Sequence, residues 1–174
     1  MTAAPSAPAP AWRPMQQADL QDVSAIAARV HPDYPEDDAI FAERLRLYPA
    51  GCRVLAAGAK LYGYVLSHPW RAGQVPKLNT LLGDLPAEPD TYYIHDIALL
   101  PEVRGLGCAG VVVAELVARA RVEKLNSMSL VAVNCSTEFW QRHGFGIAAA
   151  QTPAHAVQLK SYDGHTTLMT RQTR

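Results

Sequence analysis

Two ionisable residues stand side by side in an otherwise apolar, β-compatible run, His95 and Asp96 within Tyr93–Leu100. A histidine with an ordinary pKa near 6.5 can take up and release a proton at working pH. Pro101 ends the run, and Arg104, Gly105 and Gly107 make a tight turn with few side chains. From there the period changes: Ala109, Val112, Val113, Leu116, Val117 and Ala120 recur at helical spacing. Small residues let a ligand reach the main chain, and the first amides of the helix point outward with the positive end of its dipole. Such a turn binds phosphate. The combination predicts a place where a phosphorylated carrier meets a reacting group.

The common nucleotide loops do not match. A Walker loop requires a lysine and a Ser/Thr after its second glycine, and neither is present. Gly105, Gly107 and Gly110 meet the G-x-G-x-x-G spacing, yet Arg104 precedes them and no earlier βαβ unit of suitable length exists. An ordinary turn between strand and helix is the plain alternative.

The elements that would position these residues can be read along the chain. Trp12–Met15 predicts a first strand. Ala18–Val30 and Asp38–Tyr48 predict helices with apolar faces. Arg53–Ala57 and Leu61–Ser67 predict a hairpin across Gly58. Pro69–Thr91 is a long Pro- and Gly-containing connection, and long connections tend to be functional. Its Trp70, Leu78, Leu81 and Leu82 suit a lid or a packed satellite helix. After the central strand and helix come a strand at Ser129–Val133, a helix at Thr137–His143, and strands at Gly146–Ala150 and His165–Thr170. Mixed order of this kind implies an α/β (α+β) domain with helices on one mixed, mostly antiparallel sheet.

Composition narrows the classes. The 174 residues suit one domain, and 16 basic against 16 acidic residues give no net charge. That balance offers no general affinity for nucleic acid or membrane. Cys52, Cys108 and Cys135 show neither metal nor disulfide spacing, and the six histidines lack ligand spacing. No metal site is expected, and the cysteine usage suggests a reducing, cytoplasmic compartment. Cys108 at a helix start reads as a small residue packed beside the turn and not as a nucleophile. Residues 1–11, rich in Ala and Pro, read as a disordered tail before a domain spanning 12–174. No stretch approaches the roughly 20 apolar residues a membrane span needs.

Arg104-Gly-Leu-Gly-Cys-Ala109 resembles the acetyl-CoA pyrophosphate loop of the GNAT acyltransferase superfamily. Asn134-Cys-Ser-Thr-Glu-Phe-Trp-Gln-Arg-His-Gly-Phe145 looks like the family's Asn…Phe-Tyr-x-x-x-Gly-Phe segment. The resemblance extends from Trp12 to Arg171 and implies helices on both faces of the sheet, with fourth and fifth strands splayed around the pantetheine arm of acetyl-CoA, the co-substrate. By that resemblance Ile97, Ala98 and Leu99 border the arm, with the main chain of Ile97 and Leu99 bonding it. Arg104, Gly105, Leu106, Gly107, Cys108 and Ala109 hold the pyrophosphate, and Asn134 and Trp140 form the opposite wall. The His95-Asp96 segment is similar to the diamine acetyltransferase branch, where Glu-Asp occupies these positions.

The implied activity is acetyl transfer from acetyl-CoA to a primary amine of a small molecule. His95 is the expected base, on one face with Ile97 by strand alternation. Asp96 would face away unless a bulge brought it in to help bind the amine. Trp140 falls where many relatives carry a proton-donating Tyr, and an indole cannot serve as an acid. The loop His31-Pro-Asp-Tyr-Pro-Glu-Asp-Asp38 offers Asp33, Glu36, Asp37 and Asp38 with Tyr34 as candidate contacts for a cationic amine, although Asp37 or Asp38 also suits capping of the second helix. Acetylation of protein lysines or N-termini, and acyl-CoA sensing without transfer, are the alternatives. Many relatives form dimers.

Overall fold

The computed structural model describes residues 8–149, 157, 159–162 and 166–174. Among the described residues, seven strands form one sheet: β1 Ala11–Pro14, β2 Cys52–Ala57, β3 Lys60–Trp70, β4 Thr91–Leu99, β5 Ser127–Ala132, β6 Gly146–Ile147 and β7 Thr167–Gln172. Their order is β1-β2-β3-β4-β5-β7-β6. The β4–β5 pair is parallel and every other pair is antiparallel. A parallel pair needs a crossover connection, and α3, Cys108–Val122, supplies it.

Two apolar layers sandwich the sheet. On one face, Val23 and Ile26 of α1 (Leu20–Val30) and Phe41 and Leu45 of α2 (Asp38–Leu47) pack on Val54, Tyr64, Leu66 and Ala98. On the other, Val112, Val113, Leu116, Val117 and Ala120 of α3 pack on Tyr92, Ile94, Met128 and Leu130. Trp140 of α4, Thr137–Arg142, joins that second layer. These α3 positions are the ones that helical periodicity in the sequence singles out.

Boundaries differ from the sequence reading where side-chain pattern is silent. A 3-10 turn, Gln17–Asp19, precedes α1, with Asp19 held by Arg13 at 2.7 and 2.8 Å. Strand β3 continues through Pro69, because beyond Leu66 it has only β4 as a neighbour. A residue without an N–H is tolerated there as on an edge. The predicted strand ends at Ala150 and His165 lie outside the described residues, as does most of the predicted tail. The connection 71–90 contains no helix. It is fastened to α2 instead: buried Glu43 accepts the Leu82 and Gly83 N–H groups at 2.8 and 2.9 Å, and Arg44 donates to the Thr80 carbonyl at 3.1 Å. Among the described residues, no helix is long and apolar enough to cross a membrane.

Candidate active site at the divergence of β4 and β5

Strand β4 carries a bulge. Leu66 of β3 stands opposite Asp96 and Ser67 opposite Ile94, so His95 is the extra residue. The irregularity resets the alternation of side chains. Tyr92, Ile94 and Ile97 pack with the α3 layer, whereas Ala98 and Leu100 pack with α1 and α2. His95 and Asp96 thereby reach the same face, towards α1 and α2. His95 does not share a face with Ile97, as regular alternation predicts; the bulge between them is the reason.

The β4–β5 ladder ends at Ile94↔Leu130, although the strands continue to Leu99 and Ala132. Where they part lies a cavity of about 490 Å³, bordered by His95, Asp96, Ile97 and Leu99 on one wall and by Leu130, Val131, Asn134 and Trp140 on the other. Residues of the α1–α2 loop, Leu78 and Tyr162 cover it.

Two histidine–carboxylate pairs meet here. The deeper one joins His95 Nε2 to Glu36 Oε2 at 3.0 Å, with side chains 2% and 6% exposed. Its other ring nitrogen, Nδ1, is buried without a partner. The shallower one joins His31 Nε2 to Asp96 Oδ1 at 3.0 Å, with exposures of 12% and 17%. His31 also approaches the Ile97 carbonyl at 3.3 Å, and its Nδ1 lies 2.9 Å from the Asn134 amide nitrogen. Tyr64 donates its hydroxyl proton to Asp96.

Charge states follow from these contacts. Burial works against both carboxylates, yet His95 holds Glu36 below its ordinary value, and His31 with Tyr64 does the same for Asp96. Burial also opposes the His31 cation, but Asp96, then the Ile97 carbonyl and Glu36, outweigh it and raise its pKa. His68, on β3 near the His95 ring, is buried and pushed down to about 3, so it stays neutral.

The glycine turn joins the cavity at its outer end. Gly105 and Gly107 have φ of +78°, the left-handed region that only glycine enters freely, and no atom lies within 4 Å of where a Cβ would stand. Gly107 precedes the first turn of α3, whose leading amides have no carbonyl within the helix to bond. Open space before unbonded amides is the cradle that a diphosphate requires. Arg104, Gly105 and Ala109 line the cavity. Arg104 Nε holds the Leu99 carbonyl at 3.1 Å. Asn134 and Cys135, with φ of +52° and +56°, turn the chain sharply after β5.

Not every predicted residue converges. Ala98 is 1% exposed in the apolar layer and borders no part of the cavity. Asp33 is exposed outside it, while its neighbour Tyr34 is buried and lines it. Leu106, Gly107 and Cys108 shape the turn without lining the cavity; Leu106 points to solvent, and the Cys108 carbonyl accepts the Trp12 indole N–H at 2.8 Å. Glu36, read from the sequence only as one of four acids in its loop, proves to pair with His95; His31 and Tyr162 were missed, and Tyr162 belongs to no motif. Among the described residues no group of three His, Cys, Asp or Glu could hold a metal ion.

Comparison with solved structures shows the same fold. Ard1 from Thermoplasma volcanium superposes with a TM-score of 0.70 at 16% identity, over 94% of this chain and 97% of that one. A GNAT-like decarboxylase, GphF, in complex with isobutyryl-CoA gives 0.73 at 16% identity, over 94% and 100%. N-acetylglutamate synthase from Neisseria gonorrhoeae, complexed with coenzyme A and N-acetyl-glutamate, gives 0.70 at 15% identity, over 95% of this chain and 35% of that longer one. No curated protein matches the sequence. The model of the acetyltransferase (GNAT) family matches residues 12–145, which takes in the bulged strand, the glycine turn and the Asn134 wall. The chain belongs to that family, enzymes that use acetyl-CoA as the acyl donor.

Proposed function

We propose that the protein moves an acetyl group from acetyl-CoA directly to a primary amine of a small molecule. The pantetheine arm lies between the parted ends of β4 and β5, against the Ile97 and Leu99 main chain and Asn134. The amides and side chains of residues 104–109 hold the diphosphate, and Trp140 walls the channel. His95 accepts the proton that the amine loses on attack; Glu36, bonded to Nε2, keeps the ring oriented with Nδ1 bare. Asp96, Glu36 and Tyr34 favour a cationic acceptor.

The observation that carries the choice of a small acceptor is the cover. Asn79 takes the Asp37 N–H on its side-chain oxygen at 2.8 Å and gives its own N–H to Glu36 at 3.1 Å. Loop 31–37 is thus fastened to the 71–90 connection over the two ionised carboxylates, which suits a compact ammonium better than a polypeptide. We place the protein in the cytoplasm, since all three cysteines are free thiols.

Release of CoA from acetyl-CoA is the test, scored against a panel of small amines, lysine peptides and N-terminal peptides, with acetylated products identified by mass spectrometry. Turnover confined to small amines is expected. Preference for peptides would overturn the small-molecule reading, and tight acetyl-CoA binding with no turnover on any acceptor would make the protein a sensor.

A further inference from the structure

Transfer from a thioester leaves a thiolate, and the cavity wall beside it at residue 140 is an indole, which gives up no proton. Among the described residues, seven cavity-lining groups are ionisable: His31, Tyr34, Glu36, His95, Asp96, Arg104 and Tyr162. Glu36 and Asp96 are held ionised, Arg104 is engaged by the Leu99 carbonyl, and His95 is engaged by Glu36. Tyr162 donates to the Pro76 carbonyl, and its ring and that of Tyr34 pack together 6.4 Å apart. His31 alone among these bonds both walls of the opened cleft: Asp96 and the Ile97 carbonyl on β4, and Asn134 past the end of β5.

We propose that His31 is the general acid of the reaction, protonating the departing CoA sulfur from Nδ1 across the divergence of β4 and β5. The role rests on the acetyl transfer proposed above. An acceptor that arrives as an ammonium first gives one proton to solvent; as the neutral amine nitrogen then bonds the acetyl carbon, its second proton passes to His95 Nδ1. The C–S bond then breaks with its electron pair on sulfur, which takes the His31 proton. Solvent reprotonates His31 and receives the proton from His95.

The surroundings favour this cycle. Asp96 from β4, backed by Tyr64 from β3, and Glu36 from the loop before α2 face His31 as anions or their supports; His95 is the facing cation when protonated, and Asn134 is neutral. The net field raises the His31 pKa, so the ring enters the cycle charged. In the recorded arrangement the Asn134 amide N–H meets Nδ1, which fits the ring after it has lost its proton. The charged ring calls for the amide turned over, presenting its oxygen.

His31→Gln keeps a donor for Asp96 but cannot supply a proton. With a productive amine, kcat should fall about 100-fold while KM for acetyl-CoA changes by less than about threefold, and the alkaline fall in kcat of the unmodified protein should disappear. Unchanged kcat, or an alkaline limb that persists, would overturn the assignment. If His31→Gln does not fold, His31→Ala with added imidazole decides: recovery of turnover supports the role, and a folded variant that imidazole does not rescue refutes it. Absence of turnover in the unmodified protein sinks the transfer reading itself, and this role with it.

Discussion

The two halves of β4 share a strand but not a chemistry. From Thr91 to Ile94 the strand is laddered on both sides, to β3 and to β5, and buried. From His95 to Leu99 it keeps only β3, and its free side borders the cavity. One additional residue at the boundary separates the halves. The closed half shows what the sheet does when every backbone group is paired and each face meets apolar side chains. The open half has main-chain groups to offer a ligand, and two polar side chains on one face where alternation allows one. A site has been made from a core strand by withdrawing a neighbour and adding a bulge.

Substitutions can pull this contrast apart. In the open half, His95→Gln, which can still donate to buried Glu36, should have the largest effect on activity, about 10³-fold in kcat; steady-state kinetics beside a melting curve separates that loss from any loss of stability. In the closed half the balance should reverse. Met128→Ala, fully buried opposite Tyr92, should lose about 2–5 kcal/mol of stability while residual folded protein keeps its kcat. A variant of Met128 that lost activity without losing stability would blur the division.

His68, across from Tyr93 in the closed half, gives the division a pH signature. Its folded pKa, near 3, lies below the ordinary 6.5. The unfolded chain therefore binds a proton that the folded one refuses, and stability present above pH 6.5 is lost as pH falls towards 3. By pH 4 this amounts to about 3 kcal/mol. His31 acts with opposite sign, since its raised pKa favours the fold in acid and is lost as pH rises through the folded value. Glu36 and Asp96 contribute only above the ordinary carboxyl range and weaken below it. Denaturant melts of the unmodified protein and His68→Asn between pH 7 and 4 should converge as pH falls.

Arg104→Glu sets a like charge against diphosphate at the far end of the open half and should weaken acetyl-CoA binding about 10- to 100-fold by calorimetry. Asp33→Asn is the smallest: an exposed carboxylate outside the cavity should alter the KM of the amine by less than about a factor of two. A larger shift would bring Asp33 back among the amine's contacts.

The fold was legible because its signals are local. The change of period at Ala109 and the glycines at 105 and 107 mark a strand, a turn and a helix without reference to anything distant. The glycine turn at the cavity's outer end was legible for the same reason, being made of consecutive residues. The proton-handling side was not. Placing His95 required its register against Ser67, and a bulge is a property of two strands that neither displays alone. His31 and Glu36 lie about sixty residues before the partners they bond, so their loop looked acidic without showing which acid turns inward. Asp33 and Glu36 are both acids of one loop; the pairing of Glu36 with His95 and the fastening of Asn79 to Glu36 and Asp37 tell them apart.

That fastening, with Glu43 gripping two successive amides of the 71–90 segment, has a kinetic consequence. The segment that covers the cavity's edge is anchored to α2, so on the small-amine reading proposed above its height would be set before acetyl-CoA arrives, and bulky amines would be turned away by the empty enzyme instead of being bound and left unreacted.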